Sequence, residues 1–424
     1  MSRWPPHTIG LMGPFGYGNL GDAAIQQAMI EHIRQRLPGA QIYGYSLNPA
    51  DTERRHGIRS FATSRQSWIE HGGRGRGRPW QRIARWLSNH PRPLLRTLGR
   101  WATRLPIEFG LLAYAHRSLQ GVDLLIISGG GQLDDYWGGG GPWSQPYTLL
   151  KWGLLARLRG ARFAVVSVGA GPIDARLSRV FIRWALGLAG YRSYRDEYSR
   201  RFVREIVDFG STGAVYRDLA HSLPLGRVAP RADAGGRPVV AFGPIGYFRP
   251  ECWPEHDPAI YAEYLRKITC YVAWLAQQGC AIVFIPGETH YDQLVIDDLR
   301  AALCAQGVDL NKHVLPATIE NVDDLLAQLA GADMLVASRF HNILLGLMLG
   351  KPAIALSYQA KIDALMADVG MADYCRPIAQ FDLAWLQASF TAIMHNRAAL
   401  AERIEQREAG YRAALEEQYE RIFS

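Results

Sequence analysis

Two stretches of the chain carry side chains suited to chemistry on an anionic, hydroxyl-bearing substrate. The first is Ser338-Arg339-Phe340-His341. It follows Met334–Ala337, which reads as a buried strand, and precedes an apolar helical run. This is the carboxyl end of a strand, where open α/β sheets bind their ligands. Arg339 offers a planar fork of donors for carboxylate or phosphate. His341 can exchange a proton near neutral pH. Tyr358 and Lys361 follow the next strand, Ala353–Leu356, so four polar groups are expected to converge from adjacent strand ends. The plainer reading is a histidine that only caps or fills a helix start. The second stretch is Gly13-Pro-Phe-Gly16-Tyr-Gly18-Asn-Leu-Gly21-Asp22, joining a strand (Thr8–Met12) to an amphipathic helix expected over about 22–37.

Gly16, Gly18 and Gly21 form a formal G-x-G-x-x-G, so a dinucleotide site has to be weighed. The turn is longer than the tight dinucleotide connection, and Asp22 at the helix start would repel a pyrophosphate. Ser46 and Asn48 stand where an acidic ribose partner is needed. Nicotinamide binding is therefore set aside. Two readings remain. Either a nest of backbone N–H groups, with Asn19, receives an anionic or hydroxyl-rich ligand, or Asp22 caps the helix and nothing binds. A further glycine run, Gly129-Gly130-Gly131, follows the strand 123–128. Gln132, Asp134, Asp135, Tyr136 and Trp137 after it suit sugar hydroxyls and sugar faces, or form a loop with buried aromatics. Arg195-Asp196 and Arg217-Asp218, at strand ends, are either further cations for a substrate or structural ion pairs.

Short apolar β-rich runs alternate with helical patterns, the signature of parallel α/β architecture. Strands are expected at Thr8–Met12, 41–46, 123–128, 162–168, 191–194 and 214–216. A second series lies at Val239–Gly243, 281–285, 314–315, Met334–Ala337 and 353–356. The segment 223–238 is rich in Pro, Gly and Ala and reads as a linker. The expected fold is two doubly wound Rossmann-like domains, 1–222 and 239–380, facing across a cleft, with a charged helical tail over 381–424. No internal repeat is seen.

The 424 residues suffice for two such cores, and 48% hydrophobic with 20% charged residues excludes long disorder. The five cysteines are scattered, odd in number and without zinc spacing, so reduced buried thiols are expected and no metal site. The first residues show no signal peptide, and no uncharged apolar run approaches the ~18 residues of a membrane span. A soluble cytoplasmic protein, or one peripheral to the inner face of a membrane, is expected. The formal charge of +8 is uneven. Nine arginines and no Asp, Glu or Lys lie between His71 and Leu105, an insertion at about 71–105 that also holds Trp80, Trp86 and Trp101.

The order Tyr17-Gly18-Asn19-Leu20-Gly21-Asp22, Gly129-Gly130-Gly131, Ser167-Val168-Gly169-Ala170-Gly171-Pro172, Arg195-Asp196 with Ser199, Asp218, Ser338-Arg339-Phe340-His341, then Tyr358 and Lys361 resembles the polysaccharide pyruvyl transferase family. The likeness spans roughly 8–370, and its length resembles the branch of colanic acid synthesis. Gly-Asn-x-Gly-Asp and Arg-x-His with Tyr-x-x-Lys are its specific parts. Ala23 stands where the family often has an acid, and the arginine segment has no place in the pattern.

The resemblance implies a fold like that of the two-domain GT-B glycosyltransferases and a transferase of exopolysaccharide or cell-surface glycan synthesis. Phosphoenolpyruvate would be the co-substrate and no other cofactor is implied. Arg339 and Lys361, with Tyr358, would hold the donor, and Arg195 or Arg217 would come second. His341 would be the general acid, and Asp22 or Asp218 the acceptor-side base. Gly18, Asn19, Gly21, Gly129, Gly130, Gly131 and Gln132 would line the acceptor side. The arginine segment resembles a basic interfacial helix suited to an anionic membrane carrying a lipid-linked glycan, or else it is a solvated hairpin. Nucleic acid is not an expected partner. Two other functions stay open: a nucleotide-sugar glycosyltransferase, with Glu288 or Asp363 as its ribose-binding acid, and a non-catalytic glycan-binding protein.

Overall fold

The computed structural model describes residues 5–71, 93–136, 140–206, 213–226, 228–231, 234–253 and 255–424, with the side chains of 93–104 not included. Trp137 and the arginine-rich stretch up to Arg92, with Trp80 and Trp86, lie outside the described residues. So do the side chains of Arg96, Arg100, Trp101 and Arg104. Contacts divide the chain into two units. The first comprises Met1–Tyr17, Ile25–Leu219 and Gln418–Ser424; the second comprises Gly18–Ala24 and Ala220–Glu417.

The first unit is built on a parallel sheet of β1 (Thr8–Met12), β2 (Gln41–Ser46), β3 (Ser60–Ala62), β4 (Leu124–Ser128), β5 (Gly131–Leu133), β6 (Arg162–Ala170), β7 (Tyr191–Tyr194) and β8 (Ala214–Val215). Their order is β3-β2-β1-β4-β6-β7-β8, with β5 on β6. Every residue of β4 is buried, as a central strand covered on both faces requires. Tyr45 and Trp152, their rings 5.0 Å apart, anchor the core. Their polar ends are satisfied: the Tyr45 hydroxyl donates to the Ser118 carbonyl at 2.7 Å and the Trp152 indole to the Thr63 carbonyl at 3.1 Å. Strand order reverses between β1 and β4, and Gly129 and Gly130 leave β4 there with φ of 55° and 69°. A side chain would be strained in that left-handed conformation.

The second unit holds β9 (Val239–Gly243), β10 (Ala281–Phe284), β11 (Met334–Ala337), β12 (Ala353–Ser357) and β13 (Cys375–Pro377), all parallel, in the order β10-β9-β11-β12-β13. Its order reverses between β9 and β11. The chain is thus two Rossmann-like domains. Val314–Leu315, expected as a strand, makes only an isolated bridge from Val314 to Ile282, because the helical turn Leu310–His313 runs up to it. Three three-residue strands, β3, β5 and β13, carry too few residues to show a period. A long helix, Leu383–Phe423, ends the chain, kinked at Asn396. No helix among the described residues is long and apolar enough to cross a membrane.

Candidate active site

At the reversal point of the second sheet, the Ser338 amide continues the β11–β9 ladder by donating to the Gly243 carbonyl at 3.1 Å. Arg339 comes next, its backbone extended (φ −76°, ψ 129°), as N-cap of the helix Phe340–Met348. Its side chain reaches Asp292, 47 positions away in sequence. Nε donates to both carboxylate oxygens at 3.2 and 3.0 Å, and Nη2 donates at 2.6 Å. Asp292 is fully buried and also accepts from the amides of Gly287 and Glu288, both at 2.9 Å. Burial alone would weaken the guanidinium's hold on its proton; Asp292 more than offsets this and keeps the Arg339 pKa above its ordinary value. A fork held on one edge by a buried carboxylate is fixed in direction.

His341 lies in the first turn of the same helix, half-buried. Its ring packs directly on Gly21, where a Cβ would stand 1.9 Å from Nδ1. The loop Gly18–Asp22 is bound to the Gly287–Thr289 loop on both sides. The Thr289 amide donates to the Gly18 carbonyl at 3.1 Å, and the Leu20 amide to the Gly287 carbonyl at 3.0 Å. Gly18 has φ +78°, and a side chain there would meet Thr289 and Glu288. The helix starts at Leu20 rather than Asp22, and Asn19 is the cap. The Asn19 carbonyl accepts the first helical bond, from Ala23, and its Oδ1 accepts from the amides of Gly21 and Asp22 at 3.0 and 3.3 Å. The expectation of Asp22 as cap is therefore corrected. Asp22 stands three residues into the helix, where its carboxylate accepts from Asn19 Nδ2 at 2.8 Å. The amides of Leu20 to Ala23 all find acceptors at this helix start, on the Gly287 carbonyl and on Asn19.

Tyr358 and Lys361 follow β12, the neighbour of β11. Burial raises the Tyr358 phenol pKa, and the Arg339 charge pulls it partly back. Lys361 Nζ lies 5.4 Å over the Phe340 ring. Within the second unit, then, Arg339, Tyr358 and the Asn19–Asp22 turn are gathered around the loop Gly287–Asp292, with His341 on Gly21 and Lys361 over Phe340. Sequence reasoning missed Asp292, and no local pattern marks it. It also missed the aromatic residues Tyr247, Phe248 and Trp253; Trp253 meets Tyr358 edge-on at 5.5 Å. Glu288, considered as a ribose ligand, spends both carboxylate oxygens on the amides of His290 and Tyr291, capping the helix Tyr291–Ala305. Asp363 is exposed and accepts from the Cys375 thiol at 3.3 Å.

The remaining expected residues lie in the first unit. Arg195 bridges two carboxylates, Asp196 at 3.4 Å and Asp218 at 3.6 Å, so Asp218 joins Arg195 as well as neighbouring Arg217 in sequence. Asp218 is buried. Gly169 lets the Arg195 guanidinium lie against the backbone, since a Cβ there would stand 2.6 Å from Nη2. The Gly169 amide donates to the Gly130 carbonyl at 2.7 Å. The third glycine, Gly131, begins β5. Gln132 is buried, its side-chain oxygen accepting from Gln145 at 2.6 Å. Asp135 accepts from the amides of Asp174 and Ala175, before the helix Arg176–Leu188.

Two parallel α/β domains with GT-B-like architecture define the class, and solved structures share it. A UDP-N-acetylglucosamine 2-epimerase described as putative, from Listeria monocytogenes, is similar over 98% of this chain and 97% of its own (TM-score 0.58, 9% identity). The Neisseria meningitidis UDP-GlcNAc 2-epimerase bound to UDP-GlcNAc is similar over 98% and 99% (TM-score 0.56, 10% identity). Anabaena Alr3699/HepE in complex with UDP-glucose is similar over 96% and 95% (TM-score 0.51, 11% identity). At these identities the likeness is one of fold. No curated protein matches the chain in sequence. The polysaccharide pyruvyl transferase family matches residues 19–360, from the capping Asn19 to just past Tyr358, and the chain belongs to that transferase family.

Proposed function

We propose that the protein transfers a pyruvyl group from phosphoenolpyruvate to two hydroxyls of a sugar in an exopolysaccharide or cell-surface glycan precursor, forming a ketal. The observation that carries this reading is the packing of His341 on Gly21 beside the buttressed Arg339. The two specific motifs of the family, more than 300 residues apart, form one cluster in the second unit. Ketal formation adds a proton to the donor's methylene carbon, leaving a cation at C2. One sugar hydroxyl attacks C2, the C2–O bond to phosphate breaks, and the second hydroxyl closes the ketal. The two hydroxyl protons balance the one added at carbon and the one carried off by phosphate. His341 is the proton donor to the methylene carbon. The outer edge of the Arg339 fork, with Lys361 and Tyr358, takes the donor's carboxylate and phosphate. Asp22, one helical step beyond Gly21, is the acceptor-side base.

The site residues support this division of labour. Asp292 fixes the fork, and a fixed cation stabilises developing charge without reorganising. Of the two acids that a nucleotide sugar's ribose could use, Glu288 accepts from the amides of His290 and Tyr291 and Asp363 is exposed. The test is a thermal-shift and turnover panel with phosphoenolpyruvate, UDP-glucose and NAD. A shift with phosphoenolpyruvate alone, and phosphate release on adding a glycan acceptor, is expected. A shift with UDP-glucose only would make the protein a nucleotide-sugar enzyme. No response to any of the three would favour a glycan-binding role.

A further inference from the structure

Three helices of the first unit share one face of its sheet. Pro93–Ser118 connects β3 to β4, Gln145–Leu158 leads into β6, and Arg176–Leu188 connects β6 to β7. All three connections step in the same direction through the strand order, so right-handed crossovers put them on one side. Specific contacts bind them together. Tyr147 and Lys151 both reach Glu108, at 3.0 and 3.1 Å, and Trp143 meets Phe181 edge-on at 5.5 Å.

The outward side of this layer is unusual. In Arg176–Leu188 the buried row is Ser178, Phe181, Ile182, Ala185 and Leu186. Opposite it run two exposed rows with the same spacing, Leu177, Val180 and Trp184 beside Arg176, Arg179 and Arg183. Trp184 is 58% exposed. The next helix shows Leu154 and, at 68% exposure, Leu158, and the third shows Phe109 at 67%. Single exposed apolar side chains are ordinary, but a gathering on one face marks an interaction surface. Charge says what it meets. The exposed charges of Arg176–Leu188 are Arg176, Arg179 and Arg183, Gln145–Leu158 adds exposed Arg157, and neither helix has an acidic residue.

We propose that this three-helix face docks on an anionic lipid bilayer. Leu177, Val180 and Trp184 enter the headgroup region, and Arg176, Arg179 and Arg183 meet lipid phosphates. Arginine stems can lie along apolar surface while their heads stay at phosphate level, and tryptophan favours the interface. The inference is separate from donor chemistry, and it rests on exposed residues that lie after Leu105 in the sequence.

The experiment is co-sedimentation of the full chain with phosphatidylcholine vesicles, with and without phosphatidylglycerol. Wild type is expected to bind only the anionic vesicles and to be released by salt. The triple variant Arg176→Gln/Arg179→Gln/Arg183→Gln should partition on the order of 100-fold less. Trp184→Ser, a single exposed change that spares the fold, should partition about tenfold less. Melting temperatures close to wild type accompany both results. Failure of wild type to bind, or undiminished binding by both folded variants, overturns the proposal. So does a dimer that Trp184→Ser dissociates without any vesicle binding, which would make the face a self-association surface.

Discussion

The imidazole of His341 lies so close to the Cα of Gly21 that no side chain fits between them. The residue pair fixes where the ring can be. Gly21 is itself held by Asn19, whose side-chain oxygen accepts its amide, and by the pairing of Leu20 with Gly287. A methyl group at position 21 is compatible with the helical backbone but not with the ring. Gly21→Ala is therefore expected to turn His341 away and lower turnover at least about 100-fold, as small misplacements of catalytic groups do. Phosphoenolpyruvate affinity, read by calorimetry, should change little. Normal turnover in Gly21→Ala would mean the ring position is irrelevant to catalysis.

His341→Ala removes the proposed acid outright. A positioned acid contributes typically ~10²–10⁴ in rate, so phosphate release should fall by at least about 100-fold while the melting temperature stays near wild type. Near-normal turnover would take His341 out of the mechanism.

Asp292 tests the other half of the site. Asp292→Ala leaves Arg339 without its carboxylate and two loop amides without their acceptor. Breaking a buried pair by removing one partner costs about 3–5 kcal/mol, which should appear as a lower urea midpoint. Asp292→Asn, which keeps an acceptor oxygen but no charge, should recover part of the stability and little of the donor binding. If Asp292→Ala binds phosphoenolpyruvate as wild type does, the fork is not the donor site.

Most of the sheet was legible, because buried parallel strands are continuous apolar runs closed by glycine or polar turns. Met334–Ala337 and Val239–Gly243 have the bounds expected of them. The Arg-x-His turn could be read because it follows such a strand. Asp292 could not, since its partner lies 47 residues away and its helix start looks like many others. The cap was misassigned because Asn19 and Asp22 are both good caps, and only the pairing of the loop with Gly287–Thr289 selects Asn19. The Arg195–Asp218 contact was equally hidden: each residue has a nearer partner in sequence, and only the pairing of β7 with β8 brings Asp218 to a guanidinium that also meets Asp196.

The thiols give a prediction in pH. Burial, and then hydrogen bonding of the thiol to Asp363, pushes the Cys375 pKa up to about 12, and burial pushes that of Cys280 up to about 11. Both folded pKa values lie above the ordinary thiol range near ~8.5, so the folded state favours the protonated form. That preference contributes stability below the unfolded pKa and is lost as pH rises through the folded values, so the melting temperature should decline between about pH 8.5 and 12. The same shifts govern reactivity, since the thiolate is the nucleophile. Cys304 is exposed. With an aromatic disulfide reagent at pH 8, Cys304 should react first, and Cys280 and Cys375 only as the protein unfolds. Mass spectrometry of the modified peptides reads the order directly. Fast labelling of Cys375 in the native protein would mean that its thiol is not held by Asp363.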